Sequence, residues 1–135
     1  MIPYDVKQGS DDWLKLRAGM PTASCFDKIL TAATLRASKS QDKYLAKLAA
    51  EWFLGKPIDN FQSAFMARGT GLEAEARKTY EFETDNKVEQ VGFVTTDDGL
   101  VGCSPDGLVG KDGLVEIKVP SAETHAEYSL NGFED

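Results

Sequence analysis

Ser104-Pro105-Asp106 stands ahead of Glu116-Ile117-Lys118, with Asp106 and Glu116 ten positions apart, and these segments carry the residue types best suited to chemistry in the chain. Side chains alternate along a strand, so Glu116 and Lys118 share one face while Ile117 turns to the other. Between the segments, Gly110-Lys111-Asp112-Gly113 reads as a turn that folds one strand back beside the next, so that Asp106 lies across from Glu116. Two carboxylates and an ammonium then gather at one end of a sheet. Carboxylates at close range raise one another's pKa unless a cation compensates. An oxygen-only ligand set suits a hard divalent ion, Mg²⁺ with Mn²⁺ as a substitute, which takes one or two carboxylates and keeps several waters. The backbone carbonyl of Ile117 offers a further oxygen. Lys118 falls beside the water and phosphate that such an ion gathers, placed to orient or deprotonate the water and to offset charge on phosphorus. The same Glu-Ile-Lys face also matches an ordinary solvated strand surface, and residue types alone leave both readings open.

The elements that must position these residues follow from hydrophobic periodicity. Ser10 to Ala18 reads as a short helix with Ser10 as N-cap and Gly19 as its stop. A second helix starts at Thr22 and carries Cys25, Phe26, Ile29 and Leu30. A third runs from Ser40 to Leu54, with Tyr44, Leu45, Leu48, Ala49, Trp52 and Phe53 as one apolar stripe, and Trp13 and Trp52 are expected in the core. Phe61 to Glu83 reads as a fourth, and its glycines Gly69 and Gly71, each costing about 1 kcal/mol in a helix interior, imply close approach of a backbone, a ligand or a break. The period then changes to that of strands, with Val88–Val94, Leu100–Ser104 running on through Asp106–Val109, and Leu114–Val119 separated by turns at Asp97-Asp98-Gly99 and Gly110–Gly113. A final helix begins near Ser121. Helices, a three-stranded antiparallel meander, then a helix: the expected class is α+β, in a single domain over residues 1–135.

Composition narrows the function. The chain of 135 residues has a formal net charge of −7, the wrong sign for a protein that coats nucleic acid generically. The charge is unevenly spread: residues 7–56 carry nine Lys/Arg against five Asp/Glu, and residues 57–135 carry six against sixteen. A basic front half fits phosphate contacts and an acidic back half fits a cation site. Two cysteines exclude a disulfide framework, a four-cysteine zinc site and a cysteine-ligated iron–sulfur cluster. One histidine and no G-x-S-x-G exclude a hydrolase triad. No apolar run is long enough to span a membrane and no secretory leader opens the chain, so a cytoplasmic location is expected. His125 is expected at the surface, Cys103 against the core, and Lys39, Lys43 and Lys47 on a solvated basic helix face.

Pro105-Asp106 with Glu116-Ile117-Lys118 resembles the PD-(D/E)xK nuclease signature. Gln8-Gly9-Ser10 with Trp13, Arg17, Gly19 and Thr22-Ala23-Ser24 resembles the N-terminal motif of the lambda-type phage exonucleases, the YqaJ-like viral recombinases. Gly69-Thr70-Gly71-Leu72-Glu73, with Ala76 and Tyr80-Glu81, resembles their middle helix, and Gly102-Cys103-Ser104-Pro105-Asp106-Gly107-Leu108 their catalytic turn. The resemblance implies a restriction-endonuclease-like core in which Asp106 and Glu116 ligate metal with the Ile117 carbonyl, Lys118 is catalytic, and Glu73 approaches the same metals directly or through water. It implies that Arg17, Ser24 and Ser104 hold the phosphate at a DNA five-prime end. The implied activity is Mg²⁺-dependent digestion of one strand of linear double-stranded DNA from that end, by a phage or prophage protein in a bacterial host. Implied partners are DNA ends, a single-strand annealing protein and two further copies in a homotrimer ring. One departure stands out: the family's core continues with a further helix and strand, which the sequence to Asp135 does not supply. The alternative function is therefore a shortened, weak or inactive remnant that binds DNA ends or a recombination partner.

Overall fold

The computed structural model describes residues 1–58 and 64–132, with residues 64–71 described by their backbone alone. In chain order the elements are β1 (Ile2–Tyr4), α1 (Asp11–Arg17), a 3₁₀ segment (Ala23–Lys28), α2 (Gln41–Leu54), α3 (Ala64–Thr84), β2 (Val88–Glu89), β3 (Phe93–Thr95), β4 (Gly102–Cys103), β5 (Gly107–Val109), β6 (Gly113–Val115) and α4 (Ala122–Asn131). The mixture of helices and antiparallel strands is the α+β class expected from the sequence.

Local chemistry sets the helix limits. Ser10 caps α1, its hydroxyl accepting from the Trp13 N–H at 3.3 Å, and Ser121 caps α4 through the Thr124 N–H at 3.2 Å. Gly55 closes α2 in the left-handed conformation at φ +62°. The second helix of the sequence reading is instead six residues of 3₁₀ turn with a kink at Cys25. The described part of the fourth expected helix runs unbroken through Gly69 and Gly71 to Thr84; residues 61–63 lie outside the described residues.

The strands depart from a single three-stranded meander. Among the described residues they form two antiparallel three-stranded sheets, ordered β1-β3-β4 and β2-β5-β6. The run from Val88 to Val94 divides because Gly92 must lie flat on the N-terminal segment, where a Cβ would stand 1.7 Å from the Val6 carbonyl oxygen. Val88-Glu89 therefore pairs with β5, and Phe93–Thr95 pairs with β4 and with β1. Strand β1 was not anticipated: three residues with Pro3 in the middle give no alternation to read. An edge strand tolerates that proline, and β1 is an edge. The turns were anticipated. Asp98 accepts from the Leu100 N–H at 3.0 Å in the β3–β4 turn, and Gly110, at φ +64°, opens the β5–β6 turn.

The buried apolar residues among those described are Phe93 (0% exposed), Val94, Val88, Tyr44 and Leu48. Burying a phenylalanine side chain of this kind stabilises by about 1.5–3 kcal/mol. The buried line of α2 is Tyr44, Leu48 and Glu51, one helical face. Glu51 occupies what would be an apolar position, and its carboxylate accepts from the Gly19 N–H at 3.3 Å and the Ile58 N–H at 3.1 Å. Lys47, expected on a solvated basic face, instead stands 3.7 Å from Glu51. Trp52 is not core: its indole is 73% exposed and meets Phe53 edge-on, while its backbone rests on Gly19. The expected stripe was wider than the face the fold buries, so Leu45, Trp52 and Phe53 point outward.

Candidate functional site

Two clusters meet at the turn from Ser104 to Asp106. The first is built on the β5–β6 hairpin. Gly107 pairs with Val115, so one step further along the same register Asp106 lies across from Glu116. Two bonds fix this end: the Asp106 N–H donates to the Val115 carbonyl at 3.0 Å, and the Ile117 N–H donates to Asp106 Oδ2 at 2.5 Å. Glu116 and Lys118 are exposed, Ile117 is half-buried, and the Lys118 ammonium donates to Glu116 Oε1. The alternation expected of this segment is therefore present, although regular pairing ends at Val115.

Glu73, on α3, faces this hairpin. Partial burial pushes its pKa up, the negative charges of Asp106 and Glu116 push the same way, and Arg77 opposes them. The three carboxylates thus share one electrostatic neighbourhood. Among the described residues no three carboxylate, imidazole or thiolate side chains converge closely enough to cage an ion. The donor set is two facing carboxylates with a third nearby, all oxygen. It fits an ion that relies on water and substrate oxygens for the rest of its shell.

The second cluster comes from the N-terminal segment. Residues Pro21 and Thr22 lie beside β4, with the Gly102 N–H donating to the Pro21 carbonyl at 3.0 Å and a parallel bridge between Thr22 and Gly102. This brings Arg17 onto the turn. Its Nη1 donates to Ser104 Oγ at 3.1 Å, and its Nη2 donates to Thr22 Oγ1 and Ser24 Oγ, each at 3.3 Å. The guanidinium lies 4.3 Å from the Trp13 ring centroid and 5.7 Å from that of Phe93. Burial lowers the Arg17 pKa, yet a guanidinium keeps its charge at any physiological pH. Trp13 is half-buried, and its Nε1–H is shared between Ser104 Oγ (2.9 Å) and the Gly92 carbonyl (3.0 Å). Gln8 Nε2 donates to the Pro105 carbonyl at 3.1 Å.

Cys103 ties the clusters together. Burial raises its thiol pKa, Glu116 raises it further and Arg17 lowers it, so both charged groups are felt at one sulfur. The structure thus gathers Arg17, Ser24 and Ser104 on one side of the turn and Asp106, Glu116, Ile117 and Lys118 on the other, with Glu73 nearby. His125 is exposed on α4, as expected, and lines a surface cavity with Lys118, Val119 and Pro120. Sequence reasoning missed Arg77, whose Nη2 donates to the Asp106 carbonyl at 3.3 Å. Its position four residues after Glu73, on the same helix face, was the available signal.

An alkaline exonuclease from Laribacter hongkongensis, LHK-Exo, is 36% identical, with a TM-score of 0.73 over 93% of this chain and 61% of that one. A second structure of that enzyme, in complex with dAMP, superposes equally well at the same identity. The chain therefore spans about three-fifths of the length of that exonuclease. No curated protein matches the sequence. Among the described residues, no helix is long and apolar enough to cross a membrane. Residues 12–135, nearly the whole chain, match the YqaJ-like viral recombinase domain, and the chain belongs to that family.

Proposed function

We propose that this chain carries the phosphodiester-hydrolysing site of a metal-dependent exonuclease that digests linear double-stranded DNA from the five-prime end. The observation that carries the reading is the facing of Asp106 and Glu116 across the hairpin, with Lys118 on the same side as Glu116. Asp106, Glu116 and the Ile117 carbonyl are the residues that would hold Mg²⁺ or Mn²⁺, with Glu73 reaching it directly or through water. The ion, when bound, lowers the pKa of water and offsets charge developing on phosphate oxygens. Lys118 then exchanges its carboxylate partner for the attacking water or a phosphate oxygen, and orients or deprotonates that water. Arg17 presents a planar, fully charged fork backed by Trp13 and bordered by Ser24 and Ser104, which suits a terminal phosphate. The substrate on this reading is a DNA end within phage-type recombination in a bacterial cytoplasm. An annealing protein and a ring of three subunits are the partners proposed with it.

The test is incubation of five-prime-phosphorylated linear duplex with and without Mg²⁺, following product length over time. The expected result is metal-dependent shortening from the five-prime end, lowered about 10²–10⁴-fold by Lys118→Ala. Glu116→Ala is expected to abolish the Mg²⁺ dependence along with the cleavage. End binding without turnover in either Mg²⁺ or Mn²⁺ would assign the chain to end recognition instead.

A further inference from the structure

Arg77 lies outside both groups of residues assigned above, yet it touches the turn that carries Asp106. Its Nη2 donates to the backbone carbonyl of Asp106 at 3.3 Å. The Gln90 side-chain oxygen, oriented towards the guanidinium as its surroundings require, accepts from Nη1 at 3.0 Å and from Nη2 at 2.9 Å. The Arg77 Nε is buried with no hydrogen-bond partner among the described residues. An arginine held in that way is fixed by its fork rather than by its charge alone. It stands four residues after Glu73 on α3, while Gln90 lies just past β2, the strand that pairs with β5. Helix, sheet and turn are thus joined through one guanidinium.

We propose that Arg77 is a positioning residue for the hydrolytic site: it ties the Asp106 backbone to α3 and to Gln90, and so sets the distance between the Asp106 and Glu73 carboxylates. The inference rests on the metal-dependent nuclease reading for its purpose, and on the three hydrogen bonds for its geometry. Lysine at this position keeps the charge and loses the fork, and Gln90→Met removes the fork's acceptor while leaving the charge in place. Residues that orient metal ligands in this way typically affect metal affinity or activity by about 10–100-fold.

The experiment measures Mn²⁺ affinity by calorimetry in the absence of DNA, and kcat and KM on five-prime-phosphorylated duplex in Mg²⁺. Arg77→Lys is expected to weaken Mn²⁺ binding and lower kcat, each about tenfold or more, with KM changed less than about threefold. Gln90→Met, at an exposed position, is expected to move both quantities in the same direction and to stay folded. Wild-type Mn²⁺ affinity and kcat in Arg77→Lys would overturn the proposal. So would a rise in KM alone, which marks Arg77 as a DNA contact. If the wild type binds Mn²⁺ but cleaves nothing, the nuclease reading fails and the calorimetry still decides the positioning role. A wild type that binds no Mn²⁺ overturns both.

Discussion

The backbone N–H of Ile117 donates to the carboxylate of Asp106 across the mouth of the β5–β6 hairpin. One oxygen of Asp106 is thereby held in place by the strand that carries Glu116, and the other is left for a ligand. Holding one oxygen removes rotamer freedom that an ion would otherwise have to freeze. The segment that supplies the second carboxylate also orients the first.

Glu73 gives a pH dependence with a definite sign. Its folded-state pKa is raised, so the folded protein binds this proton more tightly than the unfolded chain does. Stability then falls as pH rises through the interval between the unfolded and the raised folded value, and is regained on acidification through it. Glu73→Gln is expected to raise the melting temperature of the metal-free protein at pH 8, with the advantage vanishing in acid below the ordinary carboxylate range. Added Mg²⁺ should stabilise the wild type more than the variant. Thermal unfolding at both pH values, with and without Mg²⁺, checks the prediction. A lower melting temperature for the variant at pH 8 would show that Arg77 outweighs the two neighbouring carboxylates.

Arg17→Lys replaces a fork with a point charge beside the three hydroxyl groups of Thr22, Ser24 and Ser104. Hydrogen bonds to charged groups contribute about 1.5–3 kcal/mol each, so losing one arm should weaken five-prime-phosphate recognition by roughly 10–100-fold. Duplexes ending in a five-prime hydroxyl should be affected far less. Competition between phosphorylated and unphosphorylated ends, read as the ratio of kcat/KM values, measures the difference. An equal loss on both ends would make Arg17 a structural support for the Ser104 turn.

Gly102 and Gly110 separate two reasons for glycine. A Cβ at Gly102 would stand 2.3 Å from Cζ of Phe93, the most buried side chain of the core. Gly102→Ala should therefore destabilise by about 1–3 kcal/mol through overpacking. Nothing lies within 4 Å of a Cβ at Gly110, but φ is +64° there, so Gly110→Ala should cost about 1 kcal/mol through backbone strain alone. Chemical denaturation of the two variants distinguishes them. The core substitution should also disturb Arg17, whose guanidinium lies over the Phe93 ring, and the turn substitution should leave it alone.

The facing of Asp106 and Glu116 was legible in the sequence because strand alternation and a four-residue turn determine which side chains face one another over ten residues. Glu116, Ile117 and Lys118 needed only that rule. The class was legible too, from the change of period near Val88. The number of sheets was not, since the division at Gly92 depends on Val6, a residue more than eighty positions away. Trp52 was misplaced because a helix with apolar residues on much of its circumference does not say which third will be covered. Arg77 and Gln90 were missed for a related reason: the i,i+4 spacing of Arg77 from Glu73 gives a shared helix face, but the bond to a carbonyl on another element comes only from the fold. The grouping of Arg17, Ser24 and Ser104 came from resemblance, and the hydrogen bonds that join Arg17 to both serines came from the fold.

Trp13 and Ser104 are 91 residues apart in the chain, and Gln8 and Pro105 are 97 apart. Local contacts cannot assemble such a site in advance, because the long loop must close before either bond rewards it. During synthesis, a nascent chain that has not yet exposed Ser104 to Lys118 has Arg17 but no carboxylate pair beside it.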